Sequence, residues 1–155
     1  MNVTVIGSGN MGSAFVQQLT KAGHQVSVTG RDAAKARALA ARYGARAVAA
    51  ADAALDSELV GLAPAYPDAV SAFRTIGPRA GQVVVDITNP LTDDYMGLTV
   101  GHTTSAAEEI ARAVPGVHIV KAFNTVLKAL TMCTPGTARA ISSAADVVCP
   151  TVRPM

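Results

Sequence analysis

The chain has 155 residues, 50% of them hydrophobic, 15% charged, and a net charge of +2. That length and apolar fraction suit one domain with its own core and leave little room for a separate substrate domain. The near-neutral balance favours neither nucleic acid nor a membrane surface as the main partner, and no apolar run approaches the roughly 18 residues of a membrane span.

The first predicted strand, residues 3–6, ends in Gly7-x-Gly9-x-x-Gly12 and passes directly into an amphipathic helix over 13–22. The strand and helix that flank it make this glycine pattern specific. Gly7 allows the tight turn, Gly9 lets a pyrophosphate approach the backbone, and Gly12 lets helix and strand pack closely. The pyrophosphate would sit on the free N–H groups and positive end of the helix. Gly23 stops that helix, and 25–29 reads as the second strand. Asp32 is a good N-cap for a helix over 33–43, with Ala36, Leu39, Ala40 and Tyr43 on one face and Gly44 just past its end.

Residues 46–48 read as a short third strand, 50–55 as a brief helix and 59–63 as a fourth strand stopped by Pro64. Residues 67–75 have the spacing of a crossover helix, with Val70 and Phe73 inward, and 82–87 read as a strand covered on both faces because Val83, Val84 and Val85 follow one another. Thr88-Asn89-Pro90 ends it. The stretch 91–103 has no firm period and reads as a functional or a mobile loop. Ser105-x-x-Glu108 is a capping box that opens a helix to about Val114, and 117–122 closes the pattern as a sixth strand. This alternation predicts a Rossmann-type α/β fold, a doubly wound parallel sheet of about six strands. The division is a domain over 1–125 and a weakly patterned tail over 126–155, in which Cys133 and Cys149 fit no metal or redox spacing. No charged and apolar leader precedes the first strand, so a cytoplasmic protein is expected.

The second strand leads into Thr29-Gly30-Arg31, where an NAD-binding unit would place an acidic residue on the ribose 2′-OH. A carboxylate repels a 2′-phosphate, whereas an arginine meets it with a charge-assisted, often bidentate, pair. Lys35 can add a point charge and Thr29 a hydroxyl, which points to NADP(H). Asp32 is the dissonant residue and reads as a structural cap. The alternative is that Arg31, Lys35, Arg37 and Arg42 form a solvated face.

The chain resembles the NADPH-dependent reductases of the deazaflavin coenzyme F-420, also called F-420-dependent NADP oxidoreductases. The likeness rests on Val5-Ile6-Gly7-Ser8-Gly9-Asn10-Met11-Gly12, on Arg31 with Lys35, and on Val84-Val85-Asp86-Ile87-Thr88-Asn89-Pro90-Leu91. It continues through Ser105-Ala106-Ala107-Glu108-Glu109 and Val120-Lys121-Ala122-Phe123-Asn124-Thr125, covering about residues 2–126. The resemblance implies direct hydride transfer between NADP(H) and the deazaflavin, with coenzyme F-420 as co-substrate and a homodimer as the assembly. It would put Gly7, Ser8, Gly9, Asn10, Met11 and Gly12 on the pyrophosphate, and Thr29, Arg31 and Lys35 on the 2′-phosphate. Ala63, Pro64 and Asn89 would lie along the nicotinamide half. Beyond Val126 the sequence departs from the family's continuation, so a C-terminally shortened member is expected.

Hydride transfer needs no covalent nucleophile, because orientation and distance supply most of the catalysis. His102 could contact a substrate or shuttle a proton, or be a solvent-exposed loop histidine. Asn124 and Lys121 end the sixth strand, where site residues are common, although Lys121 could simply reach solvent. Tyr66 could stack near the nicotinamide or pack on the helix that follows. Asp93-Asp94 has no His or Cys cluster beside it, so no metal site is expected. Besides a deazaflavin, the small-molecule acceptor could be an imine or quinone-like metabolite, or the step could be a redox-neutral one in biosynthesis. A non-catalytic dinucleotide-binding module is the third reading. An unpaired sheet edge favours self-association into a homo-oligomer.

Overall fold

The computed structural model describes residues 1–101 and 103–123. The strands are β1 (Asn2–Ile6), β2 (Gln25–Thr29), β3 (Arg46–Ala47), β4 (Leu59–Leu62), β5 (Val83–Asp86) and β6 (His118–Lys121). The helices are α1 (Asn10–Lys21), α2 (Ala33–Tyr43), α3 (Tyr66–Thr75) and α4 (Ala106–Ala113), with a 3-10 turn at Ala50–Asp52. The strands form one parallel sheet in the order β3-β2-β1-β4-β5-β6. One row of the register runs Val28, Val5, Gly61, Val85, Val120. This is the doubly wound α/β fold expected from the alternating pattern.

The two halves of the chain wind onto opposite faces. On one face, Val5, Val26 and Val28 pack with Val16 of α1 and Leu39 and Ala40 of α2. On the other, Ile6, Val60, Leu62 and Val84 pack with Ala69 and Phe73 of α3 and Ile110 of α4. Because β1 supplies Val5 to one core and Ile6 to the other, it is buried on both sides after Asn2. Among the described residues the two faces of β5 are covered unequally: Val84 and Asp86 are fully buried, whereas Val83 is 36% exposed and Val85 half-buried. The run of three valines thus follows the two-residue period of a strand, with one face fully covered and the other, which the sequence also suggested to be covered, only partly so among the described residues.

Local chemistry sets the helix ends. The Asp32 carboxylate accepts from the N–H groups of Ala34 and Lys35 at 2.9 and 3.0 Å, and Gly44 closes α2 in the left-handed region at φ 72°. In the capping box, the Glu108 carboxylate accepts from the Ser105 N–H at 2.7 Å and the Ser105 hydroxyl accepts from the Glu108 N–H at 3.3 Å. The stretch after β5 is an organised turn: Leu91 bridges to Leu98, Thr92 N donates to Gly97 O at 2.9 Å, and Thr99 N donates to Pro90 O at 2.7 Å. Its tip presents Tyr95, Met96 and Leu98 to solvent. No helix among the described residues is long and apolar enough to cross a membrane.

Candidate cofactor cleft

The strand order reverses between β1 and β4, so the turns that leave these two strands diverge and open a crevice at the carboxyl edge of the sheet. Gly7 sits at the root of the crevice with φ +108°. A Cβ there would lie 2.8 Å from the carbonyl oxygen of Ala63 and 3.1 Å from Pro64 N, so both its backbone angle and its neighbour require glycine. Gly7 N also donates to Thr29 O at 2.8 Å, which ties the turn to the end of β2. Gly12 meets the same turn from the other side: a Cβ on it would lie 1.9 Å from Gly7 O. Gly9 differs, because a Cβ there would meet nothing within 4 Å. It faces open space at the N-cap of α1, a helix whose start has no side-chain cap and no acidic residue in its first turn. The backbone N–H groups of such a turn can receive an anion.

The end of β2 supplies the charges. The Thr29 residue is buried, and Gly30 lies against Ser8, whose hydroxyl oxygen would be 3.4 Å from an added Cβ. The N–H of Lys35, with that of Ala34 and the nearby Lys35 and Arg37 charges, holds the Asp32 carboxyl below the usual carboxylate range. Its role is therefore the structural cap expected of it. Lys35 Nζ stands 3.9 Å from Asp32 Oδ2, and Arg31 Nη1 donates to Asp68 Oδ2 at 3.0 Å. Both cations are largely exposed, with side chains 88% accessible for Arg31 and 75% for Lys35.

A cavity of about 510 Å³ joins these parts. It brings together Gly7, Ser8, Gly9, Thr29, Arg31, Lys35, Ala63 and Pro64 of the residues singled out in the sequence. Asn10, Met11 and Gly12 stand behind it in the first turn of α1. Asn89 is exposed beyond β5 and is not part of its wall. His102 and Asn124, the residues weighed for catalysis, lie outside the described residues, as does the tail over 126–155.

The sequence reading missed the far wall, formed by Asp68, Ser71, Ala72 and Thr75 of α3 together with Ala50 and Ile76. The signal was present, since 68, 71, 72 and 75 have i, i+3, i+4, i+7 spacing and share one helix face. That face is small and polar, so it does not stand out where apolar periodicity is being sought. A second hollow of about 810 Å³ lies at the opposite, amino-terminal edge of the sheet, between Asn2, His24, Arg46 and Arg79. It sits at the edge opposite the one where such sheets bind their ligands.

Next to the cleft, the ends of β4, β5 and β6 hold a polar cluster. Asp86 is fully buried; its Oδ1 accepts from Thr88 N at 2.8 Å and its Oδ2 pairs with Lys121 Nζ at 3.0 Å. The same ammonium donates to the carbonyl of Thr88. Lys121 therefore does not simply reach solvent, because a buried carboxylate needs a counter-ion. Tyr66 donates its hydroxyl to the Glu109 carboxylate and so joins α3 to α4. Burial, the bond to Glu109, and the charges of Glu109 and Asp86 push this phenol up to about 12. Tyr66 thus stays protonated at neutral pH. Among the described residues, no group of three or more His, Cys, Asp or Glu gathers as a metal site would require.

A family model, the coenzyme F-420-dependent NADP oxidoreductases, matches residues 2–90, more than half of the chain. In overall structure the chain is similar to a hypothetical protein from Sinorhizobium meliloti, with TM-score 0.77 and 24% identity over 94% of this chain and 80% of that one. It is also similar to a protein from Arthrobacter sp. with a suggested F-420-dependent NADP reductase activity, with TM-score 0.73 and 24% identity over 92% of this chain and 78% of that one. At this level of identity both show the fold. A reductive aminase from Aspergillus terreus, solved with NADPH4, cyclohexanone and allyl amine, gives TM-score 0.61 and 26% identity over 77% of this chain and 40% of that one.

Proposed function

This chain belongs to the coenzyme F-420-dependent NADP oxidoreductases, and we propose that it holds NADP(H) in the crevice between the β1 and β4 turns and exchanges a hydride with a deazaflavin of the coenzyme F-420 type. The observation that carries this reading is that Arg31 and Lys35 line the same 510 Å³ cavity as Gly7 and Gly9. A phosphorylated ribose at one end and a pyrophosphate at the other would use both.

The chain's own residues fit such a ligand. A Cβ on Gly9 would project into open space, and the N-terminus of α1, which has no side-chain cap at Gly9, suits a pyrophosphate. Arg31 supplies a planar fork and Lys35 a point charge for a phosphate monoester. The small, mostly polar face of α3, together with the apolar side chains of Ala50 and Ile76, leaves room for a purine. Ala63 and Pro64 direct the other half of the ligand along the carboxyl edge of the sheet, toward the loop that bears Asn89. When bound, NADPH supplies the hydride. The protein's part is to hold the two flat rings at reacting distance and keep water out, so neither a nucleophile nor a metal is needed. Burial and the hydrogen bond it donates to the Glu109 carboxylate keep the Tyr66 phenol protonated, so its role here is to fix the position of α3 against α4.

Mixing the protein with NADPH and an oxidised deazaflavin, and following the deazaflavin absorbance, tests the reading. The absorbance should fall with the stoichiometry of NADPH consumed. An unchanged deazaflavin beside tight NADPH binding would refute the acceptor while leaving the cofactor. A second reading takes an imine as acceptor. It is supported by the likeness to the reductive aminase, and NADPH loss with cyclic imines in place of the deazaflavin would establish it. We also propose self-association, because β6 pairs only with β5 among the described residues and leaves a strand edge open. A monomer in light scattering would exclude it.

A further inference from the structure

We propose that Asp68 is an exchangeable counter-ion for Arg31, which the 2′-phosphate of the cofactor replaces, and that it thereby sets how strongly the cleft prefers NADPH over NADH. The proposal rests on the NADP(H) reading above. Arg31 follows β2 and Asp68 lies in the first turn of α3, after β4, so the two approach from opposite sides of β1. Their 3.0 Å contact spans the cavity that both of them line.

The other nearby carboxylate is committed elsewhere. Asp32 Oδ1 accepts from two backbone N–H groups of α2, and its Oδ2 faces Lys35. The Asp68 carboxylate pairs with Arg31. The four charged residues that line the cavity, Arg31, Lys35, Asp32 and Asp68, sum to no net charge before any ligand arrives.

A phosphate monoester changes that balance. It carries nearly two negative charges and three acceptor oxygens, and can engage the arginine fork through two parallel bonds, where Asp68 uses one. To bind, it must take Arg31 from Asp68 or sit beside a like charge. Either way, the cost falls on the phosphorylated cofactor alone. A ribose 2′-OH meets no such conflict, since it can donate to a carboxylate. Asp68 therefore narrows the gap between NADPH and NADH. Because the pair is exposed, with side chains 88% and 46% accessible, the effect is modest, about three- to tenfold in affinity.

The test is calorimetric titration of wild type, Asp68→Asn, Arg31→Ala and the double variant with NADPH and with NADH, at low and high salt. Thermal melts check that each variant is folded. Asp68→Asn should bind NADPH about three- to tenfold more tightly and NADH no better. The gain should shrink at high salt and vanish in the Arg31→Ala background. Weaker NADPH binding in Asp68→Asn would mean that Asp68 positions Arg31 for the phosphate, and would overturn the proposal. Equal changes for both cofactors would overturn it too. Wild-type protein that binds neither cofactor overturns the cleft reading and this proposal together, whereas wild-type NADPH binding without improvement in Asp68→Asn overturns this proposal alone.

Discussion

Replacing Lys121 by methionine should be among the most destabilising single changes at the carboxyl edge of the sheet. Methionine keeps the length and most of the volume of the side chain, so the change removes charge with little cavity. What remains is Asp86, fully buried, with Oδ1 held by Thr88 N and Oδ2 without its ammonium. An uncompensated charge of this kind costs about 3–5 kcal/mol, against 5–15 kcal/mol for the whole stability of a typical domain. Asp86→Asn should cost less, since the Lys121 side chain is 18% exposed and can extend toward water. The double variant Asp86→Asn with Lys121→Met should recover part of the loss, because no lone charge is left. Urea unfolding of the four proteins at constant m-value measures these differences. Lys121 also donates to the Thr88 carbonyl, so Lys121→Met frees the loop that carries Asn89 and should raise KM for the acceptor. A loss below about 1 kcal/mol in Lys121→Met, with no recovery in the double variant, would refute the account of Asp86 as an ion held by its partner.

The glycines of the first turn should separate folding from binding. Gly12→Ala drives a Cβ against the backbone oxygen of Gly7, which cannot swing aside as a side chain can, and should cost about 3 kcal/mol or more of stability. Gly9→Ala meets open space and should change stability by no more than about 1 kcal/mol, while NADPH affinity falls at least about tenfold; denaturant curves and cofactor titrations of the same two proteins check this. Arg31→Ala should weaken NADPH by about tenfold or more and leave NADH nearly unchanged, since one charge-assisted bond contributes roughly 1.5–3 kcal/mol; equal losses for both would refute the phosphate assignment. Tyr66 gives a pH signature. Its folded-state pKa of about 12 lies above the ordinary 10.0, so the folded protein holds the phenol proton longer than the unfolded chain does. The stabilisation is complete below pH 10 and is lost as the pH rises toward 12. Tyr66→Phe should remove that alkaline slope together with the last-titrating phenolate in the absorbance.

Most of the strand and helix order was legible because each signal was local and redundant. Asp32 and Gly44 bracket α2, Ser105 and Glu108 open α4, and Val26 and Val28 alternate in β2, so one misread residue could not displace an element. The bounds of β3, β4, β5 and β6 fall a residue inside the apolar runs, although Val48, Ala63, Ile87 and Ala122 still donate their backbone N–H groups to the neighbouring strand. Whether Val83 is covered depends on which helices reach that face of β5, and this is a property of the assembled sheet. Tyr66 and Lys121 were ambiguous for the same reason. Their partners, Glu109 and Asp86, lie 43 and 35 residues away, and only the parallel register of β4, β5 and β6 brings them within reach.

The cleft shows the same division more sharply. The end proposed for the pyrophosphate is written in contiguous residues, because one turn must satisfy a backbone angle at Gly7, a close approach at Gly12 and open space at Gly9. The end proposed for the phosphorylated ribose is assembled from two chain segments that meet across β1, and the sequence displays only one of them. Arg31 and Lys35 read as an unopposed basic pair until Asp68 arrives on α3. A balanced cradle gains no long-range attraction for a polyanionic cofactor from its own residues, so its discrimination must come from contacts formed at short range. The prediction follows that NADPH affinity in wild type depends weakly on salt, and that in Asp68→Asn it becomes both tighter and more salt-sensitive. Titrations across ionic strength would show two lines of different slope, and parallel lines would mean that the charges of the cradle act independently of one another.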